Sequence, residues 1–256
     1  MNPKDLKLII QEKYGNIAQS KDVDMKSSCC GDSSSCCGSG FTMSTGDYSL
    51  LEGYNPDADF GLGCGIPTRF AGIRPGDNVL DLGSGAGNDC FVARAIVGET
   101  GSVTGLDFTA EMVARAVKNN EKLGYTNVKF VNGDIEEMPL PDNQFDVVVS
   151  NCVLNLVPDK NRAFTQIMRV LKPGGHFCVS DVVTKGELPA NIRKDVEMYV
   201  GCVSGALKKE AYLQIITTQG FKDIIVHKER EIEVDGDSLK DSGTAIFSIT
   251  VSGYKS

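Results

Sequence analysis

Three cysteines stand alone among loop-forming residues: Cys64 in Gly63-Cys64-Gly65, Cys152 in Ser150-Asn151-Cys152 and Cys202 in Gly201-Cys202-Val203. Each falls where the flanking pattern places a loop or an element end on one edge of a parallel sheet. A glycine loop, Val79-Leu80-Asp81-Leu82-Gly83-Ser84-Gly85-Ala86-Gly87, belongs to that same edge. Thiolates are soft donors, so three of them converging beside a bound cofactor suit a thiol-seeking substrate better than an ordinary organic one. A lone cysteine is usually a small buried hydrophobe. That plainer reading is kept for Cys90 and Cys178, which fall inside an inferred helix and strand.

The elements that must hold these thiols follow from periodicity. Residues 3–19 read as an amphipathic helix with Leu6, Ile9, Ile10 and Ile17 on one side. Residues 20–46, rich in Ser, Gly, Asp and Cys, have little to bury and read as a linker or mobile lobe. Strands are expected at 78–82, 102–107, 128–131, 145–150 and 176–183. Helices are expected after the glycine loop to Val97, over 110–123 and over 159–171, the last stopped by Lys172-Pro173-Gly174-Gly175. Such β-α-β units give an α/β, doubly wound, mostly parallel sheet with helices on both faces. Residues 189–219 read as mostly helical. Closing strands are expected at 224–227 and 245–251, joined through the polar stretch 231–243. Three regions follow: an N-terminal helix and cysteine-rich segment (1–46), a cofactor-binding core (47–185) and a C-terminal substrate-binding region (186–256).

Composition narrows the function. The 256 residues are 41% hydrophobic and 23% charged, within the range of globular proteins, and carry a formal charge of -8. With no basic stripe, a nucleic-acid surface is not expected. No apolar run approaches the roughly 18 residues of a membrane span, and MNPKDLKLII is followed at once by polar residues, so no membrane partner and a cytoplasmic location are expected. In a reducing compartment the nine cysteines, an odd number, read as thiols rather than a disulfide frame.

A glycine-rich turn by itself is a weak signal. Here the spacing is G-x-G-x-G, and the third glycine of a dinucleotide fingerprint would fall at Asn88. The strand ends add information: Asp107 closes the second strand, where a carboxylate can accept both ribose hydroxyls. Asp134 closes the third and Asn151 the fourth. Acidic strand ends suit a neutral adenosine with an amino-acid tail and suit a pyrophosphate poorly. With Gly133-Asp134 and Leu171-Lys172-Pro173-Gly174-Gly175, this set resembles the class I S-adenosylmethionine-dependent methyltransferases over about residues 70–185. The resemblance implies seven strands with the last antiparallel, and S-adenosyl-L-methionine as cofactor. It assigns Asp107 to the ribose, Asp134 and Ile135 to the adenine, and Asp81, Gly83, Ser84, Gly85 and Gly87 to the methionine part. Phe108 and Asn151 complete the expected cofactor set.

Several acceptors lose support. Strand four runs into Ser150-Asn151-Cys152-Val153, without the Pro-Pro-aromatic signature of nucleobase amine methylation. His176 and His227 read as structural, no general base for an alcohol announces itself, and there is no zinc template such as H-E-x-x-H or C-x-x-C. Trivalent arsenic on three thiolates carries its own lone pair and needs no base. Held near a sulfonium methyl, it gains rate from proximity and orientation. The segments around Tyr14, Cys64, Asp89-Cys90, Asn151–Lys160, Ser180-Asp181-Val182 and Cys202 also resemble the arsenite methyltransferases over residues 13–220. That resemblance implies arsenic bound by Cys64, Cys152 and Cys202, successive methylation in arsenic detoxification, and a thiol reductant such as thioredoxin or glutathione. The pairs Cys29-Cys30 and Cys36-Cys37 read either as accessory thiols for arsenite capture, disulfide resolution or zinc, or as dispensable. The chain departs from the family in Leu62, where an aromatic is common, and in having no tryptophan. Two rivals stand beside this reading: a methyltransferase of a small metabolite such as a quinone precursor, and a non-catalytic metalloid sensor or carrier.

Overall fold

The computed structural model describes residues 2–20, 47–189, 192, 202–232 and 243–256. Cys29, Cys30, Cys36, Cys37 and residues 190–191 and 193–201 of the mostly helical stretch expected at 189–219 lie outside them. Helix α1 (Pro3–Ser20) precedes the sheet. The core then runs β1 (Asn78–Leu82), α2 (Asn88–Val97), β2 (Ser102–Asp107), α3 (Ala110–Leu123), β3 (Val128–Asn132), β4 (Phe145–Asn151), α4 (Lys160–Val170) and β5 (Leu171–Lys185). It closes with β6 (Leu207–Lys208), α5 (Lys209–Thr218), β7 (Lys222–Ile232) and β8 (Ala245–Tyr254). The sheet order is β3-β2-β1-β4-β5-β8-β7, with the two-residue β6 beside β5. Strands β1 to β5 are parallel, and β8 runs antiparallel to both neighbours. This is the expected class I methyltransferase sheet.

Three boundaries differ. Strand β5 starts at Leu171 rather than His176, because Leu171 pairs with Phe145 while the Gly174-Gly175 turn is taken up as a register shift. Strands β7 and β8 are longer than expected, since antiparallel pairing continues from Lys222 through Ile232 past a polar, half-exposed face that breaks alternation. Residues 202–206 form turns before β6 rather than helix.

Each face of the sheet is covered. On one, Phe164 and Ile167 of α4 and Tyr212 and Ile216 of α5 pack with Phe177 and Phe221, all almost fully buried. Burial of a side chain such as Phe164 contributes roughly 2–3 kcal/mol. On the other, Cys90, Phe91 and Val97 of α2 pack with Val79, Val149 and Cys178. Cys90 and Cys178 are thus small core residues; burial pushes the Cys178 thiol up to about 12. His176 Nε2 donates to the Ala71 carbonyl and the ring stacks on Tyr254, while His227 bonds Ser252 and stacks on Phe70. Both histidines are structural.

Candidate active site

The carboxyl ends of β1, β2, β3 and β4 open into one cleft of about 1140 Å³ of empty space. The glycine loop forms its floor. Gly83 and Ser84 donate backbone N–H groups to the Leu106 carbonyl at 2.7 and 3.1 Å, tying the end of β1 to β2. Gly83 has φ +66°, and a Cβ there would stand 2.4 Å from a Val153 methyl, so only glycine fits. Asp107 accepts from Gly85 N at 2.9 Å and Thr109 N at 2.8 Å, which fixes its carboxylate against the loop.

Helix α1 lies across the cleft. Lys7, Ile10 and Tyr14 border it, Gln11 donates to the Phe108 carbonyl at 3.0 Å, and Lys7 pairs with Asp134 at 2.5 Å and with Glu136. Burial depresses the Lys7 ammonium, but these two carboxylates outweigh it and the pKa is raised. Of the expected cofactor residues, Asp81, Gly83, Ser84, Gly85, Asp107, Phe108, Asp134, Ile135 and Asn151 border the cleft. Gly87 does not; it is the N-cap of α2, at φ +99°, backed by the Phe91 and Phe130 rings.

Tyr14, Tyr48, Asn88 and Asp89 also border the cleft and were not among the residues expected there. Asn88 and Asp89 occupy the first turn after a glycine loop, a position that faces any ligand at a helix N-terminus; that signal was readable. Tyr48 and Tyr14 arrive from segments distant in sequence. Tyr48 donates to Asp89 at 2.8 Å, and Asn151 Nδ2 reaches Asp89 at 3.2 Å. Burial raises Asp89 to about 6, these donors opposing it. Burial also holds Asp81 well above the usual carboxylate range, Asp89 adding to the effect, while Cys90 Sγ donates to it at 3.2 Å.

The cleft fits S-adenosylmethionine. Asp59, Asp81, Asp89, Asp107 and Asp134 border it, and among the described residues the one cation that lines it is Lys7, which is already paired. That field favours a positively charged sulfonium with an ammonium group and opposes a pyrophosphate. Ser84 Oγ and Asn88 Oδ1 are buried there without a hydrogen-bond partner. Orphaned polar atoms of this kind are costly unless a ligand meets them. Next to Gly85, the space a Cβ would enter is open.

The three solitary cysteines meet on the far wall. Cys64, Cys152 and Cys202 are 2%, 3% and 1% exposed and pack in one cluster with Leu156 and Val203. The Cys152 thiol lies within hydrogen-bonding reach of both Cys64 and Cys202, and Cys202 Sγ donates to the Cys152 carbonyl at 3.0 Å. Of the three, Cys152 alone borders the cofactor cleft. Four described non-glycine residues have positive φ: Asn143 and Asp223, types that tolerate it, and Cys152 at +60° and Cys202 at +64°. A side chain held in this region costs on the order of 1–3 kcal/mol and persists where the surroundings over-determine it. Burial pushes the Cys64 thiol up and the Cys152 thiol well up, so both are protonated at neutral pH. Asn151 couples trio and cleft: Oδ1 accepts from Cys64 N at 3.1 Å, while Nδ2 donates to Tyr48 Oη at 2.8 Å and Gly65 O at 2.9 Å. Behind the trio, burial raises Asp181 to about 7, opposed by Lys160 and by Tyr212, whose hydroxyl donates to it at 3.1 Å.

Comparison with known proteins bears on this arrangement. The family described as "Methyltransferase domain" matches residues 73–220. An arsenite methyltransferase of Halobacterium salinarum is 38% identical over 99% of this chain and 68% of its own length. One from Aquipseudomonas alcaligenes is 36% identical over 93% and 68%. The chain belongs to the arsenite methyltransferase family. A crystal structure of an arsenic(III) S-adenosylmethionine methyltransferase from Chlamydomonas reinhardtii superposes with TM-score 0.68 and 39% identity, over 75% of this chain and 67% of that one. As a member of this family the chain is an S-adenosylmethionine-dependent methyltransferase, and S-adenosyl-L-methionine is its cofactor. Among the described residues no helix is long and apolar enough to cross a membrane.

Proposed function

We propose that this enzyme transfers methyl groups to trivalent arsenic bound by Cys64, Cys152 and Cys202. The observation that carries the reading is a buried trio of thiols in which Cys152 meets both Cys64 and Cys202, with Cys152 alone at the wall of the cofactor cleft. Arsenous acid condenses with the three thiols, each thiol proton leaving with an arsenic hydroxyl as water. The raised thiol pKa values therefore do not obstruct loading, and no base is required. Three sulfurs on one side of arsenic leave its lone pair on the other, towards the cleft.

The cofactor supplies an electrophilic methyl on a sulfonium. Asp107 would accept from the ribose, Asp134 and Ile135 would frame the adenine, and the Asp81–Gly85 loop with Asn88 and Asp89 would hold the amino-acid end. Lys7 and Tyr14 close the cleft from above and keep water out. The arsenic lone pair forms the new carbon bond and the broken bond's electrons stay on sulfur. Arsenic thereby becomes pentavalent, and two electrons from thiols restore it. A low-molecular-weight thiol or a dithiol protein such as glutathione or thioredoxin would supply them in a reducing cytoplasm. Methylation of this kind serves detoxification, since it competes with arsenite capture by other protein thiols.

The test is transfer of labelled methyl from S-adenosylmethionine to arsenite in the presence of thiol. Cys152→Ser and Cys202→Ser should each abolish it while cofactor affinity, read by calorimetry, stays within about twofold, because a hydroxyl is a hard, protonated donor. Persistent arsenite turnover in either variant would sink the three-thiol reading.

A further inference from the structure

The thiol trio lies between two openings. The cofactor cleft reaches it at Cys152, and a second depression reaches it at Cys64. Arg69, Lys228, Arg230, Ser248 and Thr250 border that depression. Its geometry follows from strand register: Lys228 pairs with Thr250 and Arg230 with Ser248, so both cations stand beside hydroxyls on the face that the Cys64 loop covers. Ser248 Oγ donates to the Cys64 carbonyl at 2.6 Å, and the Cys64 thiol lies between the Ser248 hydroxyl on this side and Cys152 on the other. In a chain of net charge -8, three cations converge here around one thiol. Asp47 is the carboxylate that Arg69 influences.

We propose that this depression docks a small anionic thiol carrying arsenic, and that Cys64 is the residue that first takes the metal from it. The inference rests on the three-thiol reading and adds the entry route and the chemistry of the carrier. With S-adenosylmethionine in the cleft, the Cys152 side is covered, and arsenic must arrive from the Cys64 side. Carboxylates on the carrier meet Arg69 and Lys228, both exposed. The exchange balances without a further reagent: the carrier's sulfur–arsenic bond breaks, a Cys64 sulfur–arsenic bond forms, and the Cys64 proton leaves on the carrier thiol. Cys64 is only 2% exposed, so exchange proceeds through a brief opening of Gly63-Cys64-Gly65, held by Asn151 and Ser248. Cys152 and Cys202 then complete the coordination.

The experiment uses the full chain with S-adenosylhomocysteine, which has no methyl to transfer, filling the cleft, so that the Cys152 side stays covered and the assay reads loading and not turnover. Arsenic is supplied as its anionic tris-glutathione complex or as the neutral tris-2-mercaptoethanol complex, and protein-retained arsenic is followed in time. The parent should load faster from the anionic complex, the advantage shrinking as salt is raised. The double variant Arg69→Gln/Lys228→Gln should slow loading from the anionic complex roughly tenfold and leave the neutral one within about twofold. Equal slowing of both carriers, or no change in either, would overturn the docking site. A parent chain that retains no arsenic from either carrier would instead overturn the three-thiol reading beneath it.

Discussion

Replacing Asp107 with Asn is the sharpest probe of the cofactor site, because the change preserves shape and removes one acceptor. Gly85 N–H and Thr109 N–H, at 2.9 and 2.8 Å, each use one lone pair of a different carboxylate oxygen. One acceptor site per oxygen remains, enough for the two hydroxyls of a ribose. In Asn one oxygen becomes an NH2 group, which opposes a backbone N–H and offers no acceptor to the second hydroxyl. A hydrogen bond to a charged group is worth about 1.5–3 kcal/mol, so cofactor affinity should fall roughly 10- to 150-fold. Burial raises the Asp107 pKa while the two backbone donors oppose it, so binding in the parent should also weaken on acidification as the carboxylate gains a proton. The assay is calorimetric titration of S-adenosylmethionine into parent and variant at neutral and acidic pH, with circular dichroism to verify the fold. Unchanged affinity in the variant would remove Asp107 from the ribose site.

Gly63→Ala should disturb the trio through Asn151: its Cβ would stand 2.6 Å from Asn151 Nδ2, whose Oδ1 holds the Cys64 backbone. Arsenic loading should slow at least about fivefold, and an unchanged loading rate would contradict that linkage. Asp181 has a folded-state pKa of about 7, above its unfolded value of about 4, so the folded chain retains a proton that the unfolded chain has lost. Its contribution is therefore fully present below about pH 4 and is lost as pH rises through about 7. Asp181→Asn should gain stability relative to the parent more at about pH 8 than at about pH 5; urea midpoints showing the same difference at both pH values would refute this.

How far the chain could be read before folding differs from element to element. Strand β4 was plain because Phe145 and the run Val147-Val148-Val149 give the apolar, β-branched stretch that a central parallel strand requires. The lengths of β7 and β8 were not, because a polar segment such as His227-Lys228-Glu229-Arg230 becomes a strand only through its antiparallel partner. Asp107, Asp134 and Asn151 were legible as strand ends, and all three border the cleft. Gly87 belongs to the same motif yet serves the helix start, since spacing alone does not separate a turn's floor from its cap. Cys64, Cys152 and Cys202 announced themselves by isolation within loops, and the fold brings them together. What sequence concealed were the groups that arrive from far away: Tyr14 and Lys7 on α1, Tyr48 ahead of the core, and the cations of β7 beside Cys64.

The central claim is that one arsenic atom is held by three protein sulfurs. X-ray absorption at the arsenic edge, on protein loaded with one equivalent of arsenite and freed of small thiols, reads those ligands directly. The account predicts three sulfurs and no oxygen in the parent, and two sulfurs with one oxygen in each of Cys64→Ser, Cys152→Ser and Cys202→Ser. A parent spectrum with oxygen ligands, or a spectrum unchanged by any one of the three substitutions, would contradict it.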